Sequence, residues 1–175
     1  MENYSVLYQK ESIEFVTVAK EYLAFMESAK NLSKEDFIDK SVKILPLLYL
    51  KGVLLTPVEV FDEDYLEKFV DESAWTYIQQ VATAKLDSDD TYTQLQDISV
   101  VSDMDYLNIG LSEIYADLYQ EMGDLIGAYR TGNDESMLAA MYYCQGNFGS
   151  YWGIRLLVLL KNLHTIKYNN QNIEN

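Results

Sequence analysis

Breaks in the chain are few, and no other sequence feature limits the fold as strongly. Two prolines and eight glycines occur among 175 residues, whereas a fold of many short strands needs a turn signal roughly every 8–12 residues. The long intervals between these breaks carry apolar residues at helical spacing, as Ile13, Val16, Leu23 and Met26 do. The sequence therefore predicts an all-α fold, a compact bundle of about five long helices in one domain over residues 1–175.

Capping residues set the expected limits of the first three helices. The first helix is predicted from Ser5 to Ala29, and Ser33 is the expected N-cap of the second, since its hydroxyl is placed to accept a backbone N–H of the first turn. Pro46 lacks an N–H and is expected to kink the second helix or split it in two. Asp62 is the expected N-cap of the third helix.

The C-terminal half is predicted to hold one irregular segment and two long helices. Residues 86–102 lack a clear period and are expected to form an irregular connection. The fourth helix is predicted from Asp103 to Thr131, where Gly132 supplies a left-handed stop, and the fifth from Asp134 to Lys167. The fifth helix is apolar on more than one side, so we expect this C-terminal helix at the centre of the bundle. Residues 169–175 are polar and are expected to fray.

The formal net charge of −15 restricts the partners that the protein binds. Nucleic acid and anionic membrane both present negative charge, so neither is expected. We interpret the charge first as an aid to solubility, with a docking face for a basic protein partner as the alternative. Apolar stretches such as residues 45–55 fall short of the roughly 20 residues that a membrane span needs. No secretory signal precedes the first helix, and the single cysteine, Cys144, suits a reducing compartment. We therefore expect a cytoplasmic protein.

Four carboxylates recur along one side of the predicted fourth helix: Glu113, Asp117, Glu121 and Asp124. Stacked carboxylates serve di-metal bundles, but those sites pair Glu with a His three residues on, on each of two helices. The one histidine, His164, has Lys161 at that spacing. We interpret the row as an exposed acidic face, and we expect no metal site, no cofactor and no catalytic constellation.

Arg155 is the one charge inside the apolar run from Trp152 to Leu160. A buried guanidinium keeps its proton, so it needs a carboxylate or several other acceptors. The tight turn at Gly132 makes the last two helices antiparallel. Equal spacing from that turn places Arg155 near Gly110, with Glu113 as the expected carboxylate. A structural pair is the favoured interpretation, and an anion-binding role at the floor of a pocket is the alternative.

The fifth helix also carries Gly146, Gly149 and Gly153 on one face, where each glycine costs about 1 kcal/mol of helix stability relative to alanine. Close approach of a neighbouring helix is the expected reason, and a ligand lying against bare backbone is the alternative. Four candidate ligand-binding residues lie on this fifth helix: Arg155, Trp152, Tyr151 and His164. The other candidate is Glu113 on the neighbouring fourth helix.

Three stretches carry a resemblance to a known family. They are KILPLLYLKGVLL at residues 43–55, LSEIYADLYQEMGDLIGAYRTGN at residues 111–133 and CQGNFGSYWGIRLLVLLKNLH at residues 144–164. Their order and spacing resemble the uncharacterised bacterial family known as domain of unknown function 5063. The resemblance implies a cytoplasmic helical domain of about this size, and it implies no activity, substrate or catalytic residue.

Two classes of function remain open. The first is a non-enzymatic cytoplasmic protein-interaction or regulatory module, which the acidic charge and the lack of a nucleophile–base pair favour. The alternative is a small-molecule-binding or hydrolytic bundle with a pocket near the glycine face of the last helix, which needs a cavity of roughly 300 Å³ or more. The sequence leaves the oligomeric state open.

Overall fold

Helices make up most of the chain in the computed structural model, which describes residues 4–59, 62–96 and 106–169. Within those residues the α-helices are α1 (Lys10–Ser28), α2 (Lys34–Val53), α3 (Glu72–Leu86), α4 (Leu111–Thr131), α5 (Asp134–Asn147) and α6 (Gly153–Asn169). A π-helical turn, Phe148–Trp152, joins α5 directly to α6, so both belong to the long C-terminal helix of the sequence prediction. An antiparallel pair of strands, β1 (Tyr92–Gln96) and β2 (Tyr106–Gly110), precedes α4. Over the described residues the all-α class and the five long helices are confirmed, with this hairpin as an addition.

Three helix ends form where the local sequence predicts them. The Ser33 hydroxyl accepts the Asp36 backbone N–H at 3.0 Å and starts α2. The Asn133 side chain accepts the Ser136 backbone N–H at 3.0 Å and starts α5. Gly132, with a φ of 70°, ends α4 in the left-handed conformation that glycine adopts without strain. Short-range capping signals therefore predict these ends correctly.

Pro46 lies inside α2, and the helix continues through it to Val53. The proline is exposed, and it removes one backbone N–H from the helix ladder. The other side of α2 packs against α1 and α6. Of the two predicted outcomes the split does not occur, because one lost hydrogen bond does not outweigh the burial of the inner face, and the kink stays a prediction.

Helix α3 begins at Glu72, well after the predicted start. Asp62 does act as a cap, since it accepts the Asp64 backbone N–H at 3.0 Å, but it caps only a short 3-10 turn. Asp71 accepts the Ala74 backbone N–H at 2.8 Å and caps the helix itself. Both aspartates suit an N-cap, so the choice between them is made by contacts of the intervening residues with α4.

The β hairpin occupies chain that the sequence assigns to an irregular connection and to the start of a helix. Residues 86–102 contain β1, in which Leu95 is 4% exposed, and β2 buries Ile109 to the same extent. One face of the hairpin therefore packs on the core. Helix α4 begins at Leu111, later than predicted, and residues 97–105 lie outside the described part of the chain.

Helix α4 lies at the centre of the bundle. Fourteen of its 21 residues are buried, against four of the 17 in α6, and it packs against α1, α3, α5 and α6. This corrects the expectation that the C-terminal helix is central, because α6 packs mainly on α2 and exposes Leu157 and His164 on its other side. Of the predicted tail, Asn169 belongs to α6, and residues 170–175 lie outside the described residues. None of the described helices is long and apolar enough to span a bilayer.

Candidate functional site

The carboxylate row of α4 points into the protein. Asp117 and Asp124 are only 9% and 8% exposed, and Glu121 is half-buried. The interpretation as an exposed acidic face is therefore wrong for these three, while Glu113 at the start of the row is partly exposed. A helix surrounded by neighbours has no free side on which to leave its polar residues. Because buried carboxylates need donors, the donors around the row define the candidate site.

Asp117 is the centre of this polar cluster. Its Oδ1 accepts the Trp75 indole N–H from α3 at 3.0 Å, and its Oδ2 accepts the Nε–H of Arg155 from α6 at 3.2 Å. The Tyr151 hydroxyl contributes to lowering the pKa of this carboxyl group, and the Arg155 guanidinium carbon lies 3.8 Å from the centroid of the Tyr151 ring, a cation–π contact. Burial raises the pKa of Asp117, and the Trp75, Arg155 and Tyr151 contacts oppose that rise. Asp117 thus ties α3 and α6 to the central helix.

Glu121 lies one turn further along the row. Asn147, the last residue of α5, donates from Nδ2 to both carboxylate oxygens, at 3.0 and 3.3 Å. Burial raises the pKa of Glu121, and the nearby charges of Asp124 and Asp117 raise it further, while Asn147 and Lys68 lower it. The carboxyl group therefore sits where the fold favours its protonated form more than water does.

Asp124 holds the non-helical residues 66–70 against the surface of α4. Its Oδ1 accepts the backbone N–H groups of Phe69 at 2.7 Å and Val70 at 3.0 Å. The Lys68 Nζ lies 3.1 Å from its Oδ2. The N–H groups of Phe69 and Val70 thus bind a side chain and not the carbonyl groups of a helix. Residues 66–70 therefore stay non-helical, and α3 begins only after its cap, Asp71.

Two glycines of α4 make room for this segment. A Cβ on Gly123 would lie 2.3 Å from the Val70 side chain, and one on Gly127 would lie 2.2 Å from the Phe69 ring. Such distances exclude any larger residue unless the segment moves. The glycines on either side of Asp124 therefore form its docking groove.

The cluster uses its polar groups on the protein itself. The carboxylates of Asp117, Glu121 and Asp124 all receive protein donors, as the distances above show, whereas a general base must reach a substrate proton. Among the described residues no group of three or more His, Cys, Asp or Glu is placed to hold a metal ion. The arrangement fixes the register of α3, α6 and residues 66–70 on α4.

The structure brings together two of the candidate ligand-binding residues, Arg155 and Tyr151. Trp152 lies apart from them in the core, where its indole N–H donates to the Cys144 carbonyl at 2.8 Å and its ring stacks on Phe15 with centroids 6.0 Å apart. Its side chain is fully buried. Trp152 therefore serves the packing of the C-terminal helix on α1.

The other two candidates lie at separate places on the surface. His164 is exposed, and its ring lies 4.6 Å from that of Tyr168 one turn on. Glu113 is partly exposed, and its carboxyl group lies over Gly110 at the start of α4. The five residues named from the sequence therefore do not form one site.

Arg155 pairs with a carboxylate of α4, as the structural interpretation requires, but the partner is Asp117 and not Glu113. Equal spacing from Gly132 assumes a straight C-terminal helix. The π turn Phe148–Trp152 puts an extra residue into one turn, which rotates and bends the helix that follows. Beyond this turn α6 packs more on α2 than on α4, so the counted register fails.

The glycine face of the last helix does not pack on a neighbouring helix as predicted. A Cβ on Gly146 or Gly149 would meet nothing within 4 Å. A Cβ on Gly153 would lie 2.3 Å from the Phe148 carbonyl oxygen, which belongs to the same π turn. The close contact between helices occurs at Gly52 of α2, where a Cβ would lie 2.9 Å from the Trp152 ring.

A pocket of about 450 Å³ opens beside Gly146. Its lining consists of Gly52, Val53, Leu55, Pro57, Val58, Tyr142, Gln145, Gly146 and Phe148. The cavity is large enough for a small ligand, but none of the five candidate ligand-binding residues lines it. Its one amide side chain is engaged, because Gln145 accepts the Val58 N–H at 2.9 Å and donates to the Thr56 carbonyl at 2.7 Å.

The sequence analysis missed Trp75 and the inward direction of Asp117 and Asp124. A signal for the aspartates was present, since they lie seven residues apart, each directly before a leucine of the apolar seam of α4. Glycines flanking an acid on an otherwise apolar helix also indicate a docked segment. No local signal marks Trp75, because its partner lies 42 residues away in sequence.

Comparisons with known proteins agree with this fold. The family model described as domain of unknown function DUF5063 matches residues 6–169. The chain is similar to a solved structure, the crystal structure of protein BF1032 from Bacteroides fragilis, at 34% sequence identity and a TM-score of 0.81. That match covers 93% of this chain and 96% of the other. No curated protein matches the chain.

Proposed function

Since the chain belongs to the family described as domain of unknown function DUF5063, we propose a function from its own surfaces: it is a non-enzymatic cytoplasmic interaction module that binds a basic protein. Its buried carboxylates are occupied by the protein's own donors. Its pocket carries no carboxylate, imidazole or amine in its lining. Both features favour binding over catalysis.

The uneven distribution of charge carries this proposal. The α1–α2 hairpin, residues 10–53, holds seven of the 28 acidic residues and seven of the 13 basic ones, so it is neutral. The other 21 acidic and six basic residues account for the net charge of −15. A basic partner is therefore attracted to the α3–α4–α5 side of the molecule and not to the hairpin.

The acidic segment, residues 62–72, is the densest exposed part of that surface. Its exposed acids are Asp62, Glu63, Asp64, Glu67, Asp71 and Glu72, with Lys68 as its one basic residue. The contacts of Asp124 with Phe69 and Val70 hold the segment in a fixed shape. A preformed charged surface loses less conformational entropy on binding than a flexible one does. This favours specific recognition over loose attraction.

Affinity capture from native lysate at low salt tests the proposal. Wild-type protein as bait is expected to retain a basic protein that elutes as salt rises, because screening weakens exposed charge pairs. A bait with Asp62→Asn, Glu63→Gln and Asp64→Asn is expected to lose it. These residues are exposed, and asparagine still caps the 3-10 turn, so the fold is preserved.

A matched control bait separates specific binding from bulk charge. Glu11→Gln, Glu35→Gln and Asp36→Asn remove the same number of charges from the α1–α2 hairpin. We expect this bait to retain the partner. Equal loss by both baits, or no basic protein retained by the wild type, would overturn the proposal.

The pocket beside Gly146 supports a second candidate, the binding of a small apolar ligand. The lining is apolar apart from Tyr142 and Gln145, and the bare helix backbone at Gly146 leaves its mouth open. Indole at millimolar concentration should then shift the amide NMR signals of Val53 and Val58, and Gly146→Trp should abolish the shifts. Unchanged signals in the wild type would rule this candidate out.

A further inference from the structure

The α1–α2 hairpin presents an apolar outer face. The large exposed apolar side chains on it are Ile13, Leu47, Leu50, Val53 and Leu54, which are 53%, 43%, 51%, 53% and 48% exposed. Leu47, Leu50 and Leu54 are three and four residues apart, so they form one stripe along α2. Single exposed leucines are ordinary on a protein surface, but a continuous stripe marks a contact surface.

A groove between α1 and α2 runs beside this stripe. It has a volume of about 490 Å³, and Val18, Phe25, Ile44 and Leu47 are among its apolar lining residues. Charged residues stand on both of its walls: Glu21 on α1, and on α2 Lys40 and Lys43, of which Lys43 already pairs with Asp39 at 2.6 Å. The two walls therefore carry opposite charge.

The charge of the molecule decides which occupant suits this face. The hairpin is neutral, whereas the rest of the chain carries −15. A basic protein gains nothing from the hairpin, because the acidic attraction lies elsewhere. Two copies of this chain repel least when they meet through their neutral faces and keep their acidic sides apart.

The groove surfaces of two copies are also complementary in charge. In a two-fold dimer with the axis along the groove, α1 of one copy lies on α2 of the other. Glu21 of each copy then faces Lys40 of the second copy, and the leucine stripe of each copy lies on α1 of the other. We infer that the outer face of the α1–α2 hairpin is a self-association surface, through which two copies form a two-fold dimer. This inference goes beyond the proposed function, since it uses a different surface and needs no basic partner.

Sedimentation equilibrium of the full chain tests the dimer. We expect wild-type protein to form dimers at about 0.15 M ionic strength, and Leu50→Glu to be monomeric because it places a charge in the middle of the stripe. Leu107→Glu is the matched control. Leu107 is 42% exposed and belongs to β2, not to the α1–α2 hairpin, so this variant should stay dimeric. Circular dichroism confirms that both variants are folded. A monomeric wild type, or equal loss of the dimer in both variants, would overturn the inference.

A charge exchange tests the two-fold arrangement. Glu21→Lys places like charges opposite Lys40 and should weaken the dimer about tenfold, the effect of about 1.4 kcal/mol. Adding Lys40→Glu should restore the wild-type constant. A double variant no tighter than Glu21→Lys would contradict this arrangement.

The response to salt distinguishes the dimer from the proposed binding of a basic partner. Higher salt should strengthen the dimer, because it relieves the repulsion between two copies of charge −15 more than it weakens the Glu21–Lys40 pairs between them, whereas it should weaken binding of a basic partner. A dimer that weakens as salt rises would contradict an association through neutral faces. A failed capture experiment would leave this salt response unchanged.

Discussion

Replacing Arg155 by methionine removes the charge opposite Asp117 but keeps much of the apolar stem that packs in the cluster. The side chains of Arg155 and Asp117 are 13% and 12% exposed, and Nε lies 3.2 Å from Oδ2. The substitution therefore leaves a buried carboxylate without its cation. The Trp75 indole N–H still donates to it, so the carboxylate is not wholly without partners.

Breaking a buried ion pair by removing one member costs about 3–5 kcal/mol of unfolding free energy. We expect Arg155→Met to lie at the lower end, about 3 kcal/mol, because the Trp75 indole N–H still donates to Asp117. Urea unfolding followed by circular dichroism measures this loss as a lower midpoint at an unchanged slope. Both conditions matter, since a changed slope would report a change in compactness instead.

The double variant Asp117→Asn with Arg155→Met isolates the cause. Asparagine keeps an acceptor for the Trp75 indole while removing the buried charge, so most of the lost stability should return. A loss below about 1 kcal/mol in the single variant, the range of an exposed pair, would show that the pair is exposed in solution. A double variant no more stable than the single one would refute the stranded carboxylate as the cause.

Three further predictions concern other residues of α4 and the last helix. Gly127→Ala should lower the unfolding free energy by about 2 kcal/mol, since its Cβ overlaps Phe69; an unchanged thermal midpoint would show that residues 66–70 do not dock there. Gly146→Ala should raise it by up to about 1 kcal/mol, because nothing lies near its Cβ and alanine favours the helix; a loss would reveal a contact at that face. Glu121→Gln should raise the thermal midpoint at pH 7, since the raised pKa of Glu121 means that the folded protein holds this proton more tightly than the unfolded chain. Wild-type stability should then fall as pH rises above the ordinary pKa of 4.5, and a variant with the same pH profile as the wild type would contradict this.

The sequence predicts correctly those parts of the fold that depend on residues close to one another in the chain. Ser33, Asn133 and Gly132 form the ends expected of them because a cap needs only its own neighbours. The start of α3 was predicted wrongly because both Asp62 and Asp71 suit a cap, and the choice rests on Asp124, which is far away in sequence. Long-range contacts of this kind leave no local pattern.

The same difference between short-range signals and long-range contacts applies to the candidate site. The sequence correctly requires a carboxylate for Arg155, because a buried guanidinium cannot lose its charge. The predicted partner was Glu113 instead of Asp117, because no local sequence pattern predicts the π turn that changes the register. The inward direction of Asp117, Glu121 and Asp124 was missed because a row of acids is exposed only when that side of its helix is free, and here Trp75 of α3, Asn147 of α5 and Arg155 of α6 cover it.

The central claim is that α4 turns its carboxylates inward, where the protein's own donors use them, and leaves binding to the outer surface. A carbon-13 NMR titration of the side-chain carboxyl groups tests this most directly. We expect the pKa values of Asp117 and Glu121 to lie above the ordinary values because of burial. We expect a pKa of about 2 for Asp39, which accepts hydrogen bonds from Lys167 and Lys43 on the surface. Asp117 and Glu121 titrating as ordinary exposed acids would contradict the account.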